Sequence, residues 1–396
     1  MGEWREVPLG TVATHYRGYS YSSSELDDRG EDSFISLKVF DKGGGFREGG
    51  VKRIRGFVPE QFRVPGGSLL LANTDLTRDA DVVGAPALVP PRFHNAIISM
   101  DATRVVPDLG QVDERYLALI LGTGEARSFM RGSSAGSTVL HLDTKRLDVL
   151  PIRVPPLEEQ RRIAEILDTI DETIQATERV IAKLERVRSG LAHSLIGAIE
   201  APRARLRDVA SLTSGSTPSR SRNDYWNGSI PWVKTGEVRG NVIDSTEELI
   251  TDRALAECPL EVYPAGTVLV AMYGQGSTRG RVAMLGVPAT TNQACAAIKS
   301  APAVLDESYL FEFLKYGYDA LRSLSHGSHQ ENLSTRLVGA FELPVPSLPE
   351  QTQVVAVLDS ASARLDAEKA DLEKLRQTRA GLADDLLSGR VRTVAA

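Results

Sequence analysis

The sequence predicts an α/β (α+β) chain in which one plan is used twice. Two similar domains with curved, mainly antiparallel sheets are separated by two long helices that pair as an antiparallel coiled coil. Three observations predict this. Ile152-Arg153-Val154-Pro155-Pro156-Leu157-Glu158-Glu159-Gln160 is answered by Leu343-Pro344-Val345-Pro346-Ser347-Leu348-Pro349-Glu350-Gln351 at an offset of 191 (343 minus 152). That offset holds without a gap through Gly190-Leu191-Ala192 and Gly381-Leu382-Ala383 to Leu195 and Leu386. Both runs carry apolar residues at alternating steps of four and three, and the segments before them echo each other in motif order. A long internal repeat means two copies of one structural unit.

The first half, 1–150, opens on Leu9-Gly10-Thr11-Val12-Ala13, and the second, 201–342, on Leu206-Arg207-Asp208-Val209-Ala210. Ser68–Ala72 and Thr267–Ala271 are short apolar runs bounded by Gly and Pro, so they read as strands. Tyr116–Leu121 and Tyr309–Leu314 read as short helices. Gly43-Gly44-Gly45, Gly49-Gly50 and Gly274-Gln275-Gly276 read as loops. The offset drifts between these markers, so the halves share a frame and differ in their loops.

Each half leads into a helix, at 151–200 and 343–389. In the first helix Ile163, Leu167, Ile170, Ile174, Thr177, Ile181, Leu184, Arg188, Leu191 and Leu195 form a heptad seam. In the second the seam is Val354, Leu358, Ala361, Leu365, Glu368, Leu372, Leu375, Arg379, Leu382 and Leu386. About 40 residues at ~1.5 Å each give a spacer ~60 Å long. Parallel pairing would set Arg188 against Arg379. Antiparallel pairing lets each long side chain snorkel past an apolar position instead. Ile166, Val180 and Val187 fall in one column beside the first seam and widen its apolar face, which makes them candidates for docking a partner. Residues 390–396 are expected to fray.

Composition excludes several classes. At 396 residues the chain has room for two domains and connectors. Cys258 and Cys295 are too few for a disulfide framework or zinc ribbon and read as small core residues. There is no bilayer-length apolar run and no secretory leader pattern at Met1-Gly2-Glu3-Trp4, so the expected location is the cytoplasm. No Gly-Lys dipeptide, HExxH or CxxC occurs, and the Pro-Pro pairs at 90–91 and 155–156 both follow Val, unlike the Asn/Asp-Pro-Pro-aromatic signature of amino-methyltransferases. Gly122-Thr123-Gly124 reads as a helix C-cap turn rather than a nucleotide loop. No catalytic residue, metal site or cofactor is expected in this chain.

What remains are basic and polar loops. Lys42, Arg47, Lys52, Arg53 and Arg55 crowd a Gly-rich stretch of the first half, with Phe46 and Phe57 among them. The second half offers Ser216, Thr217, Arg220, Arg222 and Lys234, then Gln275, Arg279 and Arg281. Arg and Lys reach phosphates or guanine edges, while Gln and Ser read bases. Taken singly, such loops read as ordinary solvated charged loops. Two sets of them on one spacer read as DNA contacts. The net charge is −6 and no segment is net basic, which argues against a sequence-blind nucleic-acid binder.

The order domain, helix, domain, helix, with Pro-Pro-Leu-Glu-Glu-Gln-Arg-Arg-Ile-Ala at 155–164 and Leu-Pro-Glu-Gln at 348–351, resembles the specificity subunit of type I restriction–modification enzymes. Ile230-Pro231-Trp232-Val233-Lys234-Thr235, Ala289-Thr290-Thr291-Asn292-Gln293-Ala294 and Gly327-Ser328-His329-Gln330-Glu331-Asn332-Leu333-Ser334 are similar to that family's target-recognition domains. The first half departs from these patterns, with only Phe93-His94-Asn95 near the Asn-Gln motif. The resemblance implies a non-catalytic reader of double-stranded DNA. Each domain would read one half of a split site, and the helices would set the gap. Methyltransferase subunits, two as the expected number, would dock on the helices and hold S-adenosylmethionine, and a translocating nuclease subunit is an optional further partner. Two rivals stay open: a two-domain interaction scaffold that never touches DNA, and an enzyme whose site is not recognised.

Overall fold

A computed structural model describes residues 3–77, 79–136, 139–274, 277–325 and 332–393. The chain divides into two compact units, one of Met1–Thr177 with Leu372–Ala396 and one of Glu178–Asp371. Each unit therefore takes one globular half and a segment of both long helices.

In the first unit, strands Ala13–Arg17, Ala102–Pro107, Leu69–Ala72 and Pro86–Leu88 lie side by side in that order, all antiparallel. Successive strand residues point to opposite faces. Leu69 and Leu71 join Tyr116, Leu117 and Leu121 on one side, while Leu70 and Ala72 join Ile35, Val39 and Ile98 on the other. Both faces are covered, so the strand is an unbroken apolar run rather than an alternating one. A smaller sheet follows the order Lys52–Ile54, Asp32–Ile35, Ala96–Ile98, Arg63–Val64, with one parallel pair at its centre.

The second unit repeats this scheme. A five-stranded sheet runs Ala210–Ser214, Cys295–Ser300, Val268–Ala271, Val282–Leu285, Val242–Ile243. Val268 and Val270 face one core, Leu269 and Ala271 the other. Its smaller sheet places Trp226–Val233 between Glu248–Ile250, antiparallel, and Thr290–Thr291, parallel. The mixed, mainly antiparallel architecture is thus the expected one.

A helix packs on each large sheet, Glu114–Leu121 and Glu307–Tyr316. Asp113 and Asp306 cap them by accepting N–H bonds from Tyr116 (3.2 Å) and Tyr309 (2.9 Å). The tyrosine hydroxyls then donate to Arg153 O (2.8 Å) and Pro344 O (3.1 Å), on the strands that lead into the long helices. The repeated Asp-Glu-x-Tyr-Leu is therefore a cap followed by a tie.

The repeated Glu-Gln has an equally concrete role. Gln160 is fully buried at the start of the first long helix. Its carbonyl accepts from Asp113 N–H (2.8 Å), and its amide donates to Gln111 O (3.0 Å) and Pro155 O (2.7 Å). Gln351 repeats all three bonds, with Asp306 N–H (2.8 Å), Val304 O (2.9 Å) and Pro346 O (2.8 Å). A buried amide with every strong bond made is rigid, whereas one lost partner would leave a dehydrated polar group.

The long helices are Leu157–Ile196 and Leu348–Ser388. Every seam residue predicted above is buried or half-buried, and most positions between them are exposed. In the first unit Asp171 meets Arg379; in the second Glu185 meets Lys369 and Arg188 meets Ser362. Rising numbers on one helix meet falling numbers on the other, so the pairing inside each unit is antiparallel, as expected.

Two expectations need correction. The seam arginines do not snorkel past apolar neighbours. Arg379 is held by both oxygens of Asp171 at 3.0 Å, and Arg188 by Ser362 at 2.7 Å and both oxygens of Glu312 at 2.8 Å. A half-buried guanidinium needs a counter-charge, and the facing elements supply one. Nor is the expected tail without contacts: it is bonded at Arg392 and Thr393, while 394–396 lie outside the described residues. Glu159, only 2% exposed, takes a bidentate bond from Arg392 (2.7 and 2.8 Å) and one from the Trp4 indole (3.3 Å). Arg162 holds Thr393 O at 3.0 Å. The Arg392 bonds keep the Glu159 carboxyl below its usual range, against the opposing effect of burial.

Candidate nucleic-acid interface

Each of the two smaller sheets is flanked by a turn of the same kind. Tyr19 N–H donates to Ile98 O (2.7 Å) and Ser216 N–H to Thr291 O (2.9 Å). The residue before each is a glycine. A Cβ on Gly18 would lie 2.3 Å from Ser99 O, and one on Gly215 1.8 Å from Thr291 O, so the backbones can meet only without it.

In the second unit this turn gathers much of the predicted set. The buried Trp232 indole donates to Ser216 O (3.0 Å). Thr217 bonds Gln293. Asn292 is fixed by Thr235 (3.1 and 3.0 Å) and by Ala294 N–H (3.1 Å), which leaves the next residue, Gln293, exposed at the turn. Arg220 stacks 3.9 Å above the Trp226 ring and pairs with Glu248. Lys234 pairs with Glu247 (2.7 Å) and Glu248 (3.1 Å), and these carboxylates raise its pKa. Ser216, Thr217, Arg220 and Lys234 thus come together. Gln293 and Trp226 join them, although sequence reasoning left both out of the candidate set. The signal for Gln293 was its place in Thr-Thr-Asn-Gln-Ala.

Other candidates lie elsewhere. Arg222 makes bonds of 2.8 and 2.7 Å to Asp224 beside the Tyr225 ring, and Asp224 is pushed down to about 2, chiefly by that arginine. This pair braces the turn to helix Asp252–Glu257, where Arg253 joins it. Arg281 donates to Ser277 Oγ (2.8 Å) in the loop that also holds Arg279. Gln275 lies outside the described residues, as do His326, Gly327, Ser328, His329, Gln330 and Glu331.

The five basic residues of the first half do not form one patch. Lys52, Arg53 and Arg55 follow one strand edge. Arg53 donates to Glu31 O (2.8 Å), and Arg55 pairs with Asp27 (3.0 Å). Lys42 and Arg47 instead bracket the turn through Gly43–Phe46, bound to Asp81 (2.6 Å) and to Lys38 O (3.0 Å). That turn borders an open cavity of ≈ 960 Å³ shared with Arg115, Asp168 and Arg379. Asp75, fully buried and outside the predicted set, organises the adjoining loop by accepting from Thr77, Val82 and Val83. Burial alone would raise its carboxyl, but these bonds bring it below the usual range.

Most of these cations face carboxylates of their own chain. Exposed pairs are worth only about 0–1 kcal/mol, so a phosphate can replace the carboxylate at little cost.

Gly132-Ser133-Ser134-Ala135-Gly136 has the spacing of a hydrolase elbow. It follows helix Gly124–Gly132, however, instead of preceding one, and Ser134 donates to Met130 O (2.8 Å). Cys295 is buried, which pushes its thiol up to about 11, the behaviour of a core residue. Among the described residues no group of His, Cys, Asp and Glu is placed to hold a metal, and no helix is long and apolar enough to cross a membrane.

The model of the type I restriction modification DNA specificity domain matches residues 1–186 and 203–377. The chain belongs to this family. It carries two specificity domains, one in each compact unit. Among curated relatives, the MjaIX specificity subunit of Methanocaldococcus jannaschii is 31% identical over 178 residues, 44% of this chain and 40% of that one. The EcoR124I/EcoR124II specificity subunit of Escherichia coli is 29% identical over 160 residues, 39% of each chain. The matches therefore span about two fifths of those relatives' length. The MjaVIII specificity subunit of M. jannaschii is 24% identical over 305 residues, 71% of each chain. The crystal structure of an S subunit from M. genitalium matches with a TM-score of 0.64 at 15% identity, covering 98% of this chain and 96% of that one. At that identity the likeness speaks for the fold of the specificity domains alone.

Proposed function

We propose that this chain is the DNA-reading, non-catalytic subunit of a type I restriction–modification complex, each specificity domain reading one half of a split site. One observation carries the reading: each of two domains has the same glycine turn beside a smaller sheet with one parallel pair, and the two bear different polar side chains around that sheet. Around Ser216 the set is Thr217, Arg220, Lys234 and Gln293, with a glutamine suited to an adenine edge and cations suited to phosphates or guanine. The first domain offers Lys52, Arg53 and Arg55 along the edge strand of its smaller sheet and just beyond it. The catalytic work and S-adenosylmethionine belong to methyltransferase subunits, which dock on the first long helix. Ile166, Val180 and Val187 support that docking, being 37, 41 and 47% exposed there. The long helices hold the two half-sites apart.

Coexpression with a methyltransferase subunit from the same host, followed by methylome sequencing, tests the reading. A methylated motif in two fixed halves is expected. Gln293→Ala should relax one position of one half, with discrimination there falling by about 5- to 150-fold, the equivalent of ~1–3 kcal/mol. The absence of any methylated motif, with no retarded duplex in gel shifts, would favour the scaffold reading. The docking surface has its own check: Val180→Asp with Val187→Asp should abolish co-purification of the methyltransferase subunit while leaving the chain folded. Intact co-purification would assign docking elsewhere.

A further inference from the structure

We infer that Phe57 is an aromatic wedge that enters the base stack of the half-site read by the first domain. The inference rests on the DNA-reading proposal and deepens it. Phe57 is 89% exposed; the next most exposed aromatic among the described residues, Tyr273, is 43% exposed. A phenylalanine on a slack loop would fold back onto apolar surface, but this one is held out. On one side Ile54 is buried, and on the other Val58, both in a small core with Phe34 and Ile97. Between them Arg55 N–H is bonded to Glu25 O (2.9 Å), the Arg55 guanidinium to Asp27, and Gly56 turns the chain at φ +99°. The ring is therefore presented at the tip of a short, pinned loop.

Its surroundings name the ligand. Arg53 and Arg55 are exposed on the same strand edge. The Arg53 guanidinium is bonded to a backbone carbonyl, Glu31 O, which leaves its charge uncancelled by that partner. Cations able to reach phosphates beside an apolar ring are the composition of proteins that insert side chains between base pairs and kink the duplex. A protein partner would need a pocket for the ring with carboxylates beside it, whereas a duplex offers phosphates along its whole length. The second domain lacks the device. Phe34 pairs with Lys52 as Trp232 pairs with Glu248, so the two edge strands correspond. Where the first chain turns at Gly56, the second enters helix Asp252–Glu257, capped by Thr251. Insertion is thus confined to one half-site.

The test uses the complex with its methyltransferase subunits and a duplex carrying the motif read by methylome sequencing. 2-Aminopurine is placed in turn at positions beside, not at, the methylated adenine. Wild-type complex should raise the fluorescence at one step of one half-site. Phe57→Ala should abolish that rise and weaken binding by about 5- to 150-fold, the range for losing one aromatic–base contact. Phe57→Leu, which keeps an apolar wedge, should retain part of both. Folding is not at risk, because the side chain touches little. Unchanged affinity and fluorescence in Phe57→Ala would overturn the insertion while leaving the DNA reading intact. Loss of the methyltransferase subunits from that variant would mark a protein contact and overturn it too. A wild-type complex with no preference for the motif duplex would sink both readings.

Discussion

Glu312→Ala is expected to destabilise the second unit by about 3–5 kcal/mol, the cost of leaving a buried charge without its partner. Glu312 is 4% exposed and receives Arg188 on both oxygens at 2.8 Å. Lys315 lies 3.6 Å away and is already lowered in pKa, first of all by burial. Removing the carboxylate leaves Arg188 with the neutral Ser362 as its bonded partner and takes the nearest carboxylate from Lys315. The double variant Arg188→Met with Glu312→Leu should recover most or all of the loss, because well-packed apolar replacements of buried ion pairs are often neutral or stabilising. The first unit supplies a control. Its comparable tie, Arg115 to Asp168 at 3.0 Å, is much more exposed, 48 and 40% on its two sides, so Asp168→Ala should cost about 0–1 kcal/mol. Urea unfolding followed by tryptophan emission separates the units, since Trp226 and Trp232 lie in the second and Trp4 in the first. A loss below about 1 kcal/mol in Glu312→Ala would show that solvent or a side-chain rearrangement replaces the carboxylate.

Four residues inserted after Glu172 should widen the gap between half-sites by one or two base pairs and leave the letters of both halves unchanged. One extra turn lengthens the first helix by ~6 Å, and duplex DNA rises ~3.4 Å per base pair. Asp171 is paired with Arg379 and Glu185 with Lys369, so the insertion falls between two registers that the second helix must also satisfy. A companion variant with four further residues after Asp371 keeps the helices equal. It should give the same wider gap with less loss of stability. Methylome sequencing of both variants decides the matter. An unchanged gap, or altered letters in either half, would remove the helices from the role of ruler.

The parts of this protein legible in the sequence are those fixed by local pattern or by repetition. The seams were visible because an apolar step of four and three has only one geometric use, and the antiparallel sense because Arg188 and Arg379 share an offset. The parts that were not legible depend on partners remote in the chain. Arg188 finds Glu312 124 residues away, and Arg392 finds Glu159 233 away, so nothing near either arginine announces its bond. The five basic residues of the first half looked like one patch because they are close in sequence. The strand pairing that sends Lys52–Ile54 to Asp32–Ile35, and the turn that ties Gly45 to Pro86, divide them. Gln293 was hidden because it and Asn292 are alike as residue types, and only the bonds holding Asn292 show which of the two is spent on structure.

The buried glutamines at the helix entries have a consequence for how such a chain can change. Gln160 and Gln351 take the same three backbone partners: one amide N–H at a helix cap and one carbonyl from the globular half they adjoin, and a second carbonyl, Pro155 or Pro346, from the helix's own entry. None of the three is a side chain, so no particular sequence is demanded in return. Any half that offers that backbone pair fits the socket, whatever its loops look like. The joint works like a standard thread, cut identically in both places, on which heads of different design can be mounted. New recognition can therefore arise by exchange of whole halves, with the connecting shafts left as they are.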